Sequence, residues 1–261
     1  MDSMPLIGLG TWKLYGEECE SAVKLALDLG YRHIDTADCY ENHEAIGKAI
    51  RAFPRKELFI TSKIWHTDLE PNKIRSLVPL FLEQLQTDYI DLLLIHWPPL
   101  KMEDVAPALD AMLYFVNKGS VRQIGVSNFV RAHLPILAKY PIATNQIEMH
   151  PYLQRKELVK AYKQQGISIT AYRPLAKGAF TQDPLLQEIG KAHGKSPSQV
   201  ALRWLVQQNI AVIPKAADIT HMRENLEIFN FSLSSDEMKL IESLDQGKRY
   251  CNSNPDLTFE D

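Results

Sequence analysis

Gly30-Tyr31-Arg32-His33-Ile34-Asp35-Thr36-Ala37-Asp38-Cys39-Tyr40, with Glu41, Asn42 and Glu44 just behind it, reads as a short buried strand running out into a polar turn. The strand is Tyr31 to Asp35. It ends on a carboxylate, and the turn delivers a tyrosine five residues later. A strand of this kind, bracketed by helical spacing on both sides, is the unit from which parallel α/β sheets are built.

The same alternation continues in both directions. Upstream lie a strand, Leu6 to Thr11, and a helix from about Glu17 to Leu29 with apolar residues at Ala22, Val23, Leu25, Ala26 and Leu29. Downstream come a helix over about Asn42 to Ala52, the strand Leu58 to Ser62, and a helix that Pro71 opens and that ends near Leu85. The fourth strand, Ile90 to Ile95, closes on His96-Trp97-Pro98-Pro99 and leads to a helix over Met102 to Asn117 with Gly119 behind it. Then follow the strand Gln123 to Val126, a short helix over Ala132 to Lys139, the strand Ala143 to Ile147, a helix over Gln154 to Gln165, and the strand Ile167 to Ala171. Two helices, Pro184 to His193 and Ser198 to Gln207, precede the eighth strand, Ile210 to Ile213. Helical stretches over Met222 to Ile228 and Ser234 to Leu244 end in a polar tail.

Eight strands alternating with helices, without a linker or composition break across residues 1–261, point to one parallel α/β domain. A doubly wound open sheet is the rival, but it announces a dinucleotide site with GxGxxG after its first strand, and here only Gly8-Leu9-Gly10 stands before Thr11. The expected fold is therefore a (β/α)8 TIM barrel. In such barrels the active site lies at the C-terminal mouth, so polar strand ends are the residues to inspect. They are Thr11, Asp35, Lys63, His96, Ser127-Asn128, Gln146 and Tyr172.

Composition narrows the partners. A formal net charge of −3 without a basic block gives no handle for nucleic acid or an anionic membrane. The longest apolar run, Ile90 to Ile95, is far too short to span a bilayer, and the N-terminus has no signal-peptide pattern. Cys19, Cys39 and Cys251 are three, with no CxxC spacing, which speaks against disulfides and zinc and for a reducing, cytoplasmic setting. His33 is read as facing away from Asp35, and His66, His133, His150 and His193 have no partner at metal-ligand spacing, so no metal site is assigned.

Asp35, Tyr40, Lys63 and His96 carry the chemistry. A tyrosine of pKa about 10 is a poor acid near neutrality, and a lysine beside it favours the phenolate. An aspartate holds that lysine, and a neutral histidine orients a carbonyl oxygen by hydrogen bonding. The set suits proton transfer at an oxygen while another species transfers hydride. Singly, each residue has a plainer explanation: a turn aspartate, a half-buried packing tyrosine, a solvated lysine, a satisfied core histidine. Their conjunction at the ends of strands two to four raises the catalytic reading above these.

These residues, with Gly8-Leu9-Gly10-Thr11-Trp12, Tyr40-Glu41-Asn42, Ile60-Thr61-Ser62-Lys63, Asp91 to Pro98, Ile124 to Phe129, Asn145 to Glu148, Ala171 to Leu175, Ile213-Pro214-Lys215 and Glu224-Asn225-Leu226, make the chain resemble the aldo-keto reductase superfamily over nearly its whole length. It is most similar to the compact prokaryotic-type 2,5-diketogluconate and methylglyoxal reductases. The resemblance implies NADPH-dependent reduction of aldehydes and ketones by a monomer. It implies Tyr40 as general acid, Lys63 and Asp35 as its activating pair, and His96 as the residue orienting the carbonyl. For the cofactor it implies Tyr172 stacking on the nicotinamide, Ser127, Asn128 and Gln146 on the carboxamide, Thr11 and Asp35 near the ribose, and Leu175 near the pyrophosphate. Lys215 would hold the adenosine 2′-phosphate and Glu224 and Asn225 the adenine, while Trp12, Trp65 and Trp97 would wall the substrate pocket beside Tyr40 and His96. Trp12 would also border the cofactor.

Departures from the family pattern cluster at the adenosine end. Ala216 stands where a hydroxyl residue is usual, and His221 where an arginine often clamps the 2′-phosphate. Histidine is mostly neutral at pH 7, so weakened NADPH preference and NADH use are expected. Arg173 replaces a usually small residue and either contacts pyrophosphate or faces solvent. The loops after Trp97 and Tyr172 are short, which implies an open site of broad carbonyl tolerance. A second reading, from another class, is a non-catalytic NADP(H)-binding barrel that regulates a partner protein.

Overall fold

The computed structural model describes residues 4–251; residues 1–3, part of the N-terminus read for a signal peptide, and 252–261, the end of the polar tail, lie outside the described residues. Eight parallel strands follow one another in chain order around a single sheet. They are β1 (Leu9–Gly10), β2 (His33–Asp35), β3 (Phe59–Ile64), β4 (Ile90–Ile95), β5 (Val121–Ser127), β6 (Ile142–Glu148), β7 (Ser168–Tyr172) and β8 (Ala211–Val212). The sheet closes on itself. Ile7 bridges Val212, Val212 N–H donates to the Leu6 carbonyl at 2.9 Å, and Gly8 N–H donates back to the Val212 carbonyl at 2.9 Å. The structure is the barrel expected from the alternation, not an open sheet.

The outer ring is α1 (Gly16–Asp28), α2 (His43–Ile50), α3 (Pro71–Leu85), α4 (Val105–Lys118), α5 (Leu134–Leu137), α6 (Lys156–Gln164), α7 (Pro184–His193), α8 (Pro197–Gln207), α9 (Ile219–Leu226) and α10 (Ser235–Glu242). Helix α3 shows how the sequence writes such an element. The Glu70 side chain caps the amides of Asn72 and Lys73, Pro71 fills the first turn, and Gln86 ends the helix in a left-handed conformation. Between them Ile74, Val78, Phe81 and Leu85 recur at helical spacing and are fully buried against the barrel. Each contributes about 1.5–3 kcal/mol on burial, and truncating Phe81 to Ala would cost roughly 3–5 kcal/mol.

Several boundaries differ from the sequence expectation. The first and last strands shrink to two residues each. Pro214 has no amide with which to extend β8, and Gly10 N–H reaches the Pro214 carbonyl at 3.1 Å instead. Closure also needs Gly10 itself: a Cβ there would stand 2.7 Å from the Ile213 carbonyl oxygen. The expected helix over Ala132 to Lys139 is only α5, preceded by a 3-10 turn at Arg131–His133, because Pro141 pushes the residue before it out of helical conformation. Met102–Asp104 is likewise a 3-10 turn before α4. The opening strand begins at His33, not Tyr31. His33 does not face away from Asp35: residues two apart share a strand face, and buried His33 pairs through Nε2 with Thr61 Oγ1 at 3.0 Å.

Candidate active site

Strand ends and the turns behind them bring the sequence-selected residues to one opening. Asp35 ends β2, Lys63 lies near the end of β3, and His96 follows β4. A 3-10 turn at Asp38–Tyr40 carries the tyrosine back over the mouth. Asn42 fixes that turn: its Nδ2 donates to the Thr11 and Leu14 carbonyls, each at 3.1 Å, while its Oδ1 accepts from Thr36 Oγ1 at 2.6 Å. Thr11 in turn donates to the Asp35 carbonyl at 2.9 Å. The place of Asn42 in the sequence, directly after Tyr40-Glu41, gives no sign of this task.

The charged centre is wholly buried. Lys63 Nζ lies 2.5 Å from Asp35 Oδ1, 2.8 Å from the Thr36 carbonyl and 3.4 Å from the Tyr40 hydroxyl, and Lys63 has no exposed surface. The second Asp35 oxygen accepts from Gln146 Nε2 at 2.7 Å. Burial of two charges is tolerable only with such complete pairing.

Burial pushes the Tyr40 hydroxyl well above its ordinary range, and the Asp35 carboxylate pushes it further. The phenol is therefore held protonated, with the Lys63 ammonium 3.4 Å from its oxygen. His96 moves the other way. Burial first, then Lys63 and His66, hold its imidazole well below its usual range, so it is neutral at pH 7. Its ring meets Tyr40 at 5.7 Å and the edge of Trp65 at 5.1 Å, and its Nδ1 lies 3.7 Å from Cys39 Sγ.

Around this centre opens a cleft of about 290 Å³ lined by Thr11, Trp12, Asp35, Tyr40, Trp65, His96, Trp97, Ser127, Asn128, Gln146, Tyr172, Arg173 and Lys215, together with Gly10, Cys39, Ile213 and Cys251. The polar floor is tightly ordered. Ser127 donates to the Gln146 carbonyl at 2.8 Å, and Asn128 Nδ2 donates to the His96 carbonyl and to Ser127 Oγ at 3.0 Å each. The Tyr172 phenol donates to Asn128 Oδ1 at 2.7 Å. Asn128 holds a left-handed φ of 64°, which aims its amide inward. Hydroxyls, amides and a tyrosine ring thus form one hydrogen-bonded network along the wall of the cleft.

Five expected cofactor residues do not line the cleft. Leu175 packs against the core, and Ala216 is buried in it. Asn225 is buried beside the Tyr31 phenol. Glu224 is half-buried on α9, its carbonyl accepting from Gln199 Nε2 at 2.9 Å. His221 is exposed, its Nδ1 2.5 Å from Asp218 Oδ2. Lys215 Nζ donates to the Lys13 carbonyl at 3.0 Å. Arg173 does not point to solvent: it stands 5.0 Å over the Trp12 ring, and its Nη1 donates to the Tyr250 carbonyl.

That last contact belongs to a strap the sequence reading missed. The polar tail returns over the mouth, where Glu148 accepts from the amides of Tyr250 at 2.6 Å and Cys251 at 3.1 Å. His150 lies 3.4 Å from the same carboxylate. Only the position of Glu148 at the end of β6, beside Gln146, could have drawn attention to it. Among the described residues no group of His, Cys, Asp and Glu could hold a metal ion, and no helix is long and apolar enough to cross a membrane.

A closed barrel with a Tyr-Lys-Asp-His centre at its mouth is the architecture of a nicotinamide-dependent carbonyl reductase. Residues 6–246 match the model of the aldo/keto reductase family, and the chain belongs to that family. It is 40% identical over 257 residues to methylglyoxal reductase DkgB of Escherichia coli O157:H7, covering 95% of each chain. To the 9,11-endoperoxide prostaglandin H2 reductase of Trypanosoma cruzi it is 41% identical over 266 residues, 98% of this chain and 93% of the relative. The crystal structure of MGS-M4, an aldo-keto reductase from a Medee basin deep-sea metagenome library, superimposes with a TM-score of 0.94 at 37% identity, over 99% and 97% of the two chains.

Proposed function

We propose that the chain reduces small aldehydes and ketones to alcohols with NADPH, and that Tyr40 is the proton donor. The observation that carries this reading is the position of Lys63 Nζ, 2.5 Å from Asp35 and 3.4 Å from the Tyr40 hydroxyl, at the floor of an aromatic-walled cleft. When bound, the nicotinamide supplies hydride to the carbonyl carbon. Asn128, Ser127 and Gln146 would hold its carboxamide and Tyr172 its ring.

The carbonyl oxygen is oriented by neutral His96 and receives the phenolic proton of Tyr40 as negative charge develops on it. Lys63, fixed by Asp35, stabilises the phenolate left behind. Trp12, Trp65 and Trp97 provide apolar walls that keep water from the reacting atoms. The enzyme is read as a monomer in a reducing cytoplasm; no disulfide joins Cys19, Cys39 or Cys251 among the described residues.

The lysine expected on a 2′-phosphate and the histidine at the arginine position are both already engaged, Lys215 with a carbonyl and His221 with Asp218. We therefore expect modest discrimination against NADH. NADPH favoured by a thousandfold or more in kcat/KM would defeat this expectation. The test of the main reading is Tyr40→Phe. Carbonyl reduction should fall by about 10²–10⁴, while NADPH still quenches protein fluorescence as in wild type. Unchanged reduction would remove Tyr40 from the chemistry. No reduction by the wild-type protein across a varied aldehyde and ketone panel would favour the non-catalytic, regulatory alternative.

A further inference from the structure

His96 is neutral at pH 7, and a neutral imidazole carries its one ring proton on either of two nitrogens. Only one arrangement serves a carbonyl. A bound carbonyl oxygen offers lone pairs, so the ring nitrogen that meets it must carry hydrogen. With the proton on the other nitrogen, two lone pairs would face each other and the ring would repel the substrate. Which nitrogen holds the proton is set by the hydrogen bond that the other one makes.

At the mouth of the barrel that bond goes to sulfur. His96 Nδ1 lies 3.7 Å from Cys39 Sγ, and among the described residues no other group bonds the ring nitrogens. Nε2 is left as the nitrogen for the substrate. The 3-10 turn at Asp38–Tyr40 supplies two neighbours of the ring, Cys39 at Nδ1 and Tyr40 edge-on with ring centres 5.7 Å apart. Trp65 meets it at 5.1 Å with the planes at 89°. Wedged between two aromatic rings, the imidazole has little freedom to turn away from the sulfur. Cys39 is exposed as a residue, yet its sulfur turns inward to the buried ring. Desolvation there pushes the thiol up to about 11, so at pH 7 the sulfur keeps its hydrogen. A thiol sulfur is a weak acceptor, whereas the bare nitrogen of a neutral imidazole is an ordinary one. The pairing that uses the better acceptor has S–H donating to Nδ1.

We propose that, given the roles of Tyr40 and His96 in the carbonyl reduction proposed above, Cys39 is a positioning residue: its thiol donates to His96 Nδ1, holds the ring as the Nε2–H tautomer, and so presents a hydrogen to the substrate oxygen beside the Tyr40 phenol. Cys39 acts through the ring and forms no bond to the substrate. A thiol hydrogen bond is of the weak class, worth about two- to fivefold in an equilibrium, so the thiol biases the tautomer.

Long-range ¹H–¹⁵N correlation of the histidine rings in ¹⁵N-labelled full-length protein reads the tautomer, because a protonated and a bare ring nitrogen differ widely in shift. The His96 signals are identified by their loss in His96→Asn. In wild type, Nδ1 should resonate as the bare nitrogen. Cys39→Val keeps the bulk and removes the donor. It should draw the two nitrogen shifts toward each other, a change of about two- to fivefold in tautomer ratio, and lower kcat/KM for aldehydes by about the same factor. Cys39→Ser, whose hydroxyl also donates, should return both toward wild type. The proposal is overturned if Nδ1 carries the proton in wild type, if Cys39→Val leaves the shifts in place, if the shifts move while kcat/KM stays, or if Cys39→Ser behaves as Cys39→Val. A wild-type protein that reduces no carbonyl would defeat the proposed function instead, and the nitrogen shifts, read without substrate, would still decide the thiol's hold on the ring.

Discussion

Removing either half of the buried pair at the mouth should be worse than removing both. Asp35→Asn leaves the unexposed Lys63 ammonium without a countercharge, facing only neutral oxygens: the new amide, the Thr36 carbonyl and the Tyr40 hydroxyl. Lys63→Met leaves the Asp35 carboxylate with Gln146 alone at 2.7 Å. Breaking a buried pair by deleting one partner costs roughly 3–5 kcal/mol, whereas replacing both by neutral groups of similar volume is often close to neutral. For a chain of this size each kcal/mol lowers Tm by roughly 2–4 °C, so each single variant should melt roughly 6–20 °C below wild type. The double variant should recover most of that loss. Urea and thermal unfolding of the four proteins at pH 7 supply the comparison, with the double-mutant coupling as the readout. Losses that add to within about 0.5 kcal/mol would refute the picture of one coupled, desolvated pair. Kinetics separate stability from chemistry: the stable double variant should still lose about 10²-fold or more in carbonyl reduction, because Tyr40 then has no ammonium behind it.

Buried histidines set the acid limit of the fold. Burial holds both His33 and His43 at about 4, while the unfolded chain takes up protons near 6.5. The folded value is the lower one, so this contribution is complete above about pH 6.5 and is lost as pH falls toward 4, on the order of 3 kcal/mol for each; a urea midpoint that is flat between pH 7 and pH 4.5 would contradict it. At the adenosine end, His221→Arg should raise NADPH preference over NADH by about tenfold, as a charge-assisted grip on phosphate replaces a side chain bound to Asp218; an unchanged ratio would place the 2′-phosphate elsewhere. Glu148→Leu frees the amides of Tyr250 and Cys251, so Cys251 should react with a thiol reagent several-fold faster, read against the slower Cys19 on the buried face of α1.

Much of this was written locally. Helix α3, with its cap, its proline and its four-residue apolar rhythm, is a statement made within one stretch of chain. Polar strand ends could be selected because parallel closure sends every strand end to the same mouth. What escaped were features that exist only across the fold. Asn42 matters through the Thr11 and Leu14 carbonyls, which nothing near it in sequence announces. The direction of the Tyr40 shift is set first by burial at the mouth and then by the Asp35 carboxylate, and residue type alone discloses neither. The strap was invisible because its anchor, Glu148, lies about a hundred residues before the amides it binds. The two-residue length of β1 and β8 was hidden for a related reason: the ladder there is set by where Gly10 meets Pro214.

The Glu148 clamp grips main-chain amides, not side chains. Positions 250 and 251 can therefore change identity without releasing the anchor, while Cys251 still borders the reacting cleft. Such an arrangement decouples holding from selecting. A lineage, or a library randomised at these two positions, can explore new carbonyl shapes at little risk to the barrel, with the carboxylate at the end of β6 as the fixed point.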